Sequence, residues 1–99
     1  MTAYMVVFAR IKDRTAFLEN YARQAAALVE RHGGRYLTRA PGVVALEGDH
    51  FDGASAVISE WPDRTAIERF WNSPEYAALK KAREPLADCA VYIIEEPSR

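Results

Sequence analysis

Tyr76 and Arg83 stand seven residues apart. Seven residues are two turns of an α-helix, so a phenol and a guanidinium project from the same helix face. A guanidinium fork donates two parallel hydrogen bonds to a carboxylate, while a tyrosine combines an apolar ring with a polar tip. Tyr21, on the apolar stripe of an earlier helical segment, and Arg39, on an extended one, join Tyr76 as candidate substrate-binding residues. Such a set suits a small aromatic or carboxylated ligand held between a sheet and its helices. The competing reading is that Tyr21, Trp71 and Tyr76 fill the core and let their hydroxyls reach the surface, because aromatic stripes at helical spacing more often pack than bind.

The residues whose ordinary pKa lies near neutrality are His32 and His50. His32 precedes Gly33 at the end of a helical segment, where an imidazolium favours the negative end of the helix dipole, so capping is its expected role. His50 lies in a loop beside two aspartates. The expected topology brings Arg10, Glu47, Asp49, His50, Arg83 and Asp88 toward one rim of the sheet. His50, Glu47 and Arg83 are therefore the candidates for proton transfer and catalysis. An ordinary solvated rim with loose ion pairs is the alternative.

Other chemistries lack their residues. No Cys and His cluster has metal-ligand spacing, and Gly33-Gly34 follows a helix rather than a strand, so it is not a phosphate loop. No nucleophile-elbow pattern is present, and neither histidine is expected in a deep apolar pocket where haem would sit. No metal and no cofactor is expected.

The elements that must position these residues follow from periodicity and punctuation. Asp-Arg-Thr-Ala occurs at 13–16 and again at 63–66, each time after a β-like run and at the head of a helix-like one. Each Asp is placed to cap a helix. Residues 4–11 are apolar on both alternating faces and read as a central strand. Residues 14–32 carry Phe17, Leu18, Tyr21, Ala25, Leu28 and Val29 at helical spacing, and Gly33-Gly34 ends that helix. Residues 35–47 read as one long strand bent at Pro41-Gly42, residues 48–53 as a hairpin loop, and 54–61 as a third strand. The second helix begins at Asp63, restarts at Ser73-Pro74 and stops before Pro85. A last strand covers 89–95. This order predicts an α+β, ferredoxin-like βαββαβ sandwich, with a four-stranded antiparallel sheet in the order 4-1-3-2 and two helices on one face.

Two helices cover one side of such a sheet, yet Tyr4, Val6 and Phe8 face opposite to Met5 and Val7, and Tyr92 and Ile94 opposite to Val91 and Ile93. An apolar sheet face open to water marks an interface, and the same face of a second chain is its simplest cover. A homodimer is expected.

Composition bounds the rest. Ninety-nine residues with 49% hydrophobic content make a single domain, 1–99, with a small core. Thirteen basic against fourteen acidic residues leave no basic footprint, so nucleic acid is not an expected partner. The lone Cys89 forms no internal disulfide, and a cytoplasmic setting is the default. Residues 1–9 lack a basic leader and read as a strand rather than a signal peptide. No apolar run approaches the roughly 20 residues that span a bilayer, so no membrane partner is expected.

Tyr21, Gly33-Gly34-Arg35-x-Leu37-x-Arg39, Leu46-Glu47-Gly48, Trp61-Pro62 and Phe70-Trp71-Asn72-Ser73-Pro74-Glu75-Tyr76 with Arg83 resemble the signature of the domain of unknown function 1330 family. The resemblance runs from about Tyr4 to Glu96. It implies membership of the dimeric α/β-barrel superfamily, hence the fold above and dimerisation. The family has no established activity. Distant superfamily members include cofactor-independent monooxygenases, isomerases, dehydratases and haem enzymes, among which fold kinship does not choose. The expected function is a small cofactor-independent enzyme acting on an organic metabolite. Its alternative is a non-catalytic ligand-binding or interaction dimer.

Overall fold

The computed structural model describes residues 1–97. Four strands, β1 Ala3–Ile11, β2 Arg35–Ala40, β3 Ser55–Trp61 and β4 Ala87–Glu95, form one sheet in the order β2-β3-β1-β4. Every neighbouring pair is antiparallel. The first helix, α1, has α-helical segments Arg14–Phe17 and Arg23–Arg31 joined through a π turn at Leu18–Ala22. Two further helices, α2 Arg64–Trp71 and α3 Pro74–Arg83, follow β3. This is the ferredoxin-like α+β sandwich, with the expected strand order.

The repeated tetrapeptide does what its chemistry dictates. Asp13 Oδ1 accepts from the Ala16 N–H at 3.0 Å and Asp63 Oδ1 from the Ala66 N–H at 2.8 Å. Ser73 caps α3 in the same way, accepting from the Tyr76 N–H at 3.2 Å, and donates its own proton to the Phe70 carbonyl at 2.7 Å. That pair of hydrogen bonds turns the chain between α2 and α3, so the helical layer has three helices rather than two continuous ones.

Alternation along β1 separates two environments. Met5, Val7 and Ala9 face the helices, with Val57 and Val91 paired beside Val7. The core there gathers Leu28, Val29, Trp61, Ile67, Phe70 and Tyr76. Gly34 is required by this packing: a Cβ at that position would stand 2.7 Å from the Trp61 ring and 2.8 Å from Val29. The opposite face carries Tyr4, Val6, Phe8, Ile58, Tyr92 and Ile94 with no helix over it. Ile94 is 54% exposed.

Two boundaries differ from the sequence reading by more than one residue. The second strand ends at Ala40 rather than continuing to 47, because Pro41 has no N–H to give the ladder. Residues 41–54 are a loop, closed by Val43 N–H to Ala54 O and Gly53 N–H to Val43 O, both at 2.8 Å. The last strand begins at Ala87, two residues earlier than the sequence suggests, since Arg10 and Ile11 extend the pairing with Asp88 and Ala87.

Candidate functional site

Between the sheet and α1 lies a cavity of about 110 Å³. Its walls are mainly apolar, with Met5, Val7, Val57 and Val91 from the sheet and Phe17 and Ala25 from α1. The polar groups on it are Tyr21, Tyr36, Arg39, Ser55, Tyr76 and Cys89. An apolar hollow with a few convergent polar groups is the usual form of a small-molecule site.

Tyr21 sits within the π turn of α1, a local widening often found at functional sites. Its hydroxyl lies 2.8 Å from that of Tyr76, and Arg83 donates from Nη1 to the Tyr76 oxygen at 2.9 Å. The Arg83 guanidinium also stands 5.8 Å from the centre of the Tyr21 ring. Arg83 is 7% exposed, its Nε has no hydrogen-bond partner, and none of the ion pairs among the described residues involves it. Burial, followed by the neighbouring Tyr76, pushes the Tyr21 hydroxyl far above the ordinary tyrosine range. Burial also raises Tyr76, with the Tyr21 hydrogen bond and the Arg83 charge pulling the other way. Both phenols are protonated at neutral pH and act as donors there, not as bases.

Arg39 and Tyr36 are the β2 contribution. Three residues apart, they belong to opposite faces of a regular strand. A register shift between Tyr36 and Thr38 changes that: Tyr36 pairs with Ser59 and Arg39 with Val57, two positions on the same face. Both side chains consequently reach the cavity, with the Arg39 guanidinium 4.9 Å above the Tyr36 ring. Burial pushes Tyr36 up to about 12, against the pull of Arg39. Regular alternation hides Tyr36 in the sequence; the extra residue is Leu37, half exposed.

The six sequence candidates thus separate into two groups. Tyr21, Arg39 and Tyr76 line the cavity, and Arg83 stands behind Tyr76 as its donor. Glu47 and His50 are elsewhere, in the 41–54 loop, around hollows they share with Phe8 of the open sheet face. The expected rim cluster forms only in part. Arg10 donates to the backbone oxygens of His50 at 2.7 Å and Asp52 at 3.1 Å, and Asp88 pairs with Lys12 at 3.6 Å. Arg83 stays on the helix side, because α3 packs its last turn inward rather than toward that rim. His32 caps its helix through Nδ1 to the Leu28 carbonyl at 3.0 Å. Cys89, missed from sequence, faces the cavity with its thiol pushed up by burial.

Residues 2–97 match the family described as domain of unknown function (DUF1330). The chain belongs to that family. No curated protein matches it. Solved structures similar to this DUF1330 member include a Rhodopseudomonas palustris protein of unknown function, 20% identical, covering 99% of this chain and 84% of the other with a TM-score of 0.74. SnoaB from Streptomyces nogalater, a cofactor-independent oxygenase, is 18% identical over 99% of this chain and 95% of its own, with a TM-score of 0.69. An Arabidopsis thaliana protein is 16% identical over 98% and 97%, also at 0.69. These likenesses show the fold, a ferredoxin-like α+β sandwich. Among the described residues no helix is long and apolar enough to cross a membrane, and no group of three or more His, Cys, Asp or Glu is placed to hold a metal.

Proposed function

We propose that the chain is a cytoplasmic homodimeric enzyme that binds a small, planar or carboxylated organic molecule in the sheet–helix cavity and acts on it without a resident cofactor. The observation that carries this reading is the buried chain Arg83–Tyr76–Tyr21 ending on the wall of an apolar cavity. A buried cation without a carboxylate is costly to the free protein, and an anionic ligand would offset that cost. Arg39, exposed and also on the cavity, offers a fork for a carboxylate at the same site. SnoaB, a cofactor-independent oxygenase on the same fold, supports catalysis of this general kind. Dimerisation is supported by the open face carrying Val6, Phe8, Ile58, Tyr92 and Ile94, whose apolar strip matches that of a second copy.

One observation favours a second reading, a ligand-binding dimer without catalysis. Among the described residues no histidine or carboxylate lines the cavity, so general-base chemistry falls to tyrosines and a cysteine that hold their protons. Calorimetric titration with benzoate tests the common element of both readings. Wild type should bind, and Arg39→Ala should bind more weakly by about 1.5–3 kcal/mol, the worth of a charge-assisted hydrogen bond. Equal affinity in both proteins contradicts the site.

A further inference from the structure

Resting on the cavity as the binding site, we propose that Tyr21 is the donor of an oxyanion site, fed by Arg83 through Tyr76, and that the ligand it takes carries a phenolate or enolate oxygen on an apolar body.

Proton counting leads there. A guanidinium has no acceptor, so in the 2.9 Å contact the Tyr76 oxygen accepts from Arg83. The two phenols bring one proton each, and the single 2.8 Å contact between them uses one. One phenolic O–H is left over. No hydrogen bond from either tyrosine hydroxyl to a further acceptor is present among the described residues, and both side chains lie on the cavity.

The direction of the middle bond decides which proton is free. Arg83 draws electron density from the Tyr76 oxygen and makes Tyr76 the better donor of the pair, so the bond runs from Tyr76 to Tyr21. Tyr21 then turns its own O–H toward the cavity. Hydrogen bonds in series polarise one another in a low-dielectric setting, so the last donor is stronger than an isolated phenol. It carries the influence of a buried positive charge without exposing that charge to water.

The ligand chemistry follows from the donor. One O–H suits an anion concentrated on one oxygen, whereas a carboxylate is better served by the paired donors of Arg39. The surrounding walls, Met5, Val7, Val57 and Val91, offer no competing acceptor and suit a planar carbon skeleton. A preorganised donor aimed at an oxygen where charge develops stabilises that charge with little reorganisation.

The test uses para-nitrophenol, whose colour reports its own ionisation, titrated by absorbance while bound to the 99-residue chain. Bound to wild type, its pKa should fall by about one unit below the free value, a tenfold gain in acidity. Tyr21→Phe should return it to the free value or above. Tyr76→Phe, which keeps Tyr21 but removes the phenol that relays Arg83 to it and leaves only the direct approach of the guanidinium to the Tyr21 ring, should move the bound pKa at least halfway back to the free value, and this second variant decides the matter if Tyr21→Phe fails to fold. A bound probe whose pKa is unshifted, or shifted equally in wild type and both variants, overturns the oxyanion site while leaving the cavity as a binding site. A probe that does not bind wild type at all, or that binds without displacement by benzoate, overturns the cavity reading and the proposal with it.

Discussion

The Arg83 guanidinium donates to the Tyr76 hydroxyl across 2.9 Å at a point where Arg83 is 7% and Tyr76 2% exposed. The cation is held by a phenol and an aromatic face, and no carboxylate among the described residues pairs with it. Desolvating a charge in this way costs several kcal/mol that a neutral hydrogen-bond partner offsets only in part. The arrangement is therefore expected to trade stability for recognition.

Replacing Arg83 by Met, similar in length and uncharged, separates those two contributions. Removal of a buried charge by a well-packed apolar side chain is commonly neutral or stabilising. Arg83→Met should melt at the same temperature as wild type or higher, by up to about 2 kcal/mol in denaturant titration, while losing affinity for phenolic ligands. A loss of more than about 1 kcal/mol would mean that the cation is already compensated in the free protein.

Ser73 holds the turn that aims α3 at the cavity. Its Oγ accepts from Tyr76 N–H and donates to Phe70 O. Ser73→Ala should cost about 1 kcal/mol, the usual worth of an N-cap, measured by urea unfolding. An unchanged midpoint would show that Pro74 and the helix dipole suffice to start α3.

Alkaline pH should unfold this protein earlier than its composition alone suggests. Tyr21, Tyr36 and Tyr76 are all raised by burial, Tyr36 to about 12. In the unfolded chain they titrate near 10, so above that pH the folded state holds more protons than the unfolded state. Stability is complete below pH 10 and falls as pH climbs from about 10 through 12, by at most about 1.4 kcal/mol per pH unit for each tyrosine. Thermal melts at a series of alkaline pH values check this, and Tyr36→Phe should flatten the slope. A melting temperature constant over that interval would contradict the burial of all three phenols.

Much of the fold was legible because its signals are local. The two Asp-Arg-Thr-Ala caps, Gly33-Gly34 and Ser73-Pro74 each satisfy free backbone groups at a helix end, and apolar alternation in residues 4–11 marks a central strand. In the candidate site, helical spacing makes legible the meeting of Tyr76 and Arg83, seven residues apart on one face. Features that depend on irregular backbone are not legible. The π turn at Leu18–Ala22 leaves Leu18 of the expected apolar stripe exposed while Tyr21 stays on the cavity, and neither this turn nor the shift between Tyr36 and Thr38 has a distinctive residue to announce it. Sequence groups Glu47 and His50 with the cavity residues because strand ends alone do not tell on which side of a sheet a long loop folds.

A crystal structure of the protein soaked with para-hydroxybenzoate tests the central claim most directly, because that molecule carries one group for each end of the site. The expected result is the ring between Val7, Val57 and Val91, the carboxylate on Arg39 and the hydroxyl oxygen within hydrogen-bond distance of Tyr21. Ligand bound at the 41–54 loop instead, or a soaked crystal whose cavity is closed by its own side chains, would contradict the sheet–helix cavity as the functional site.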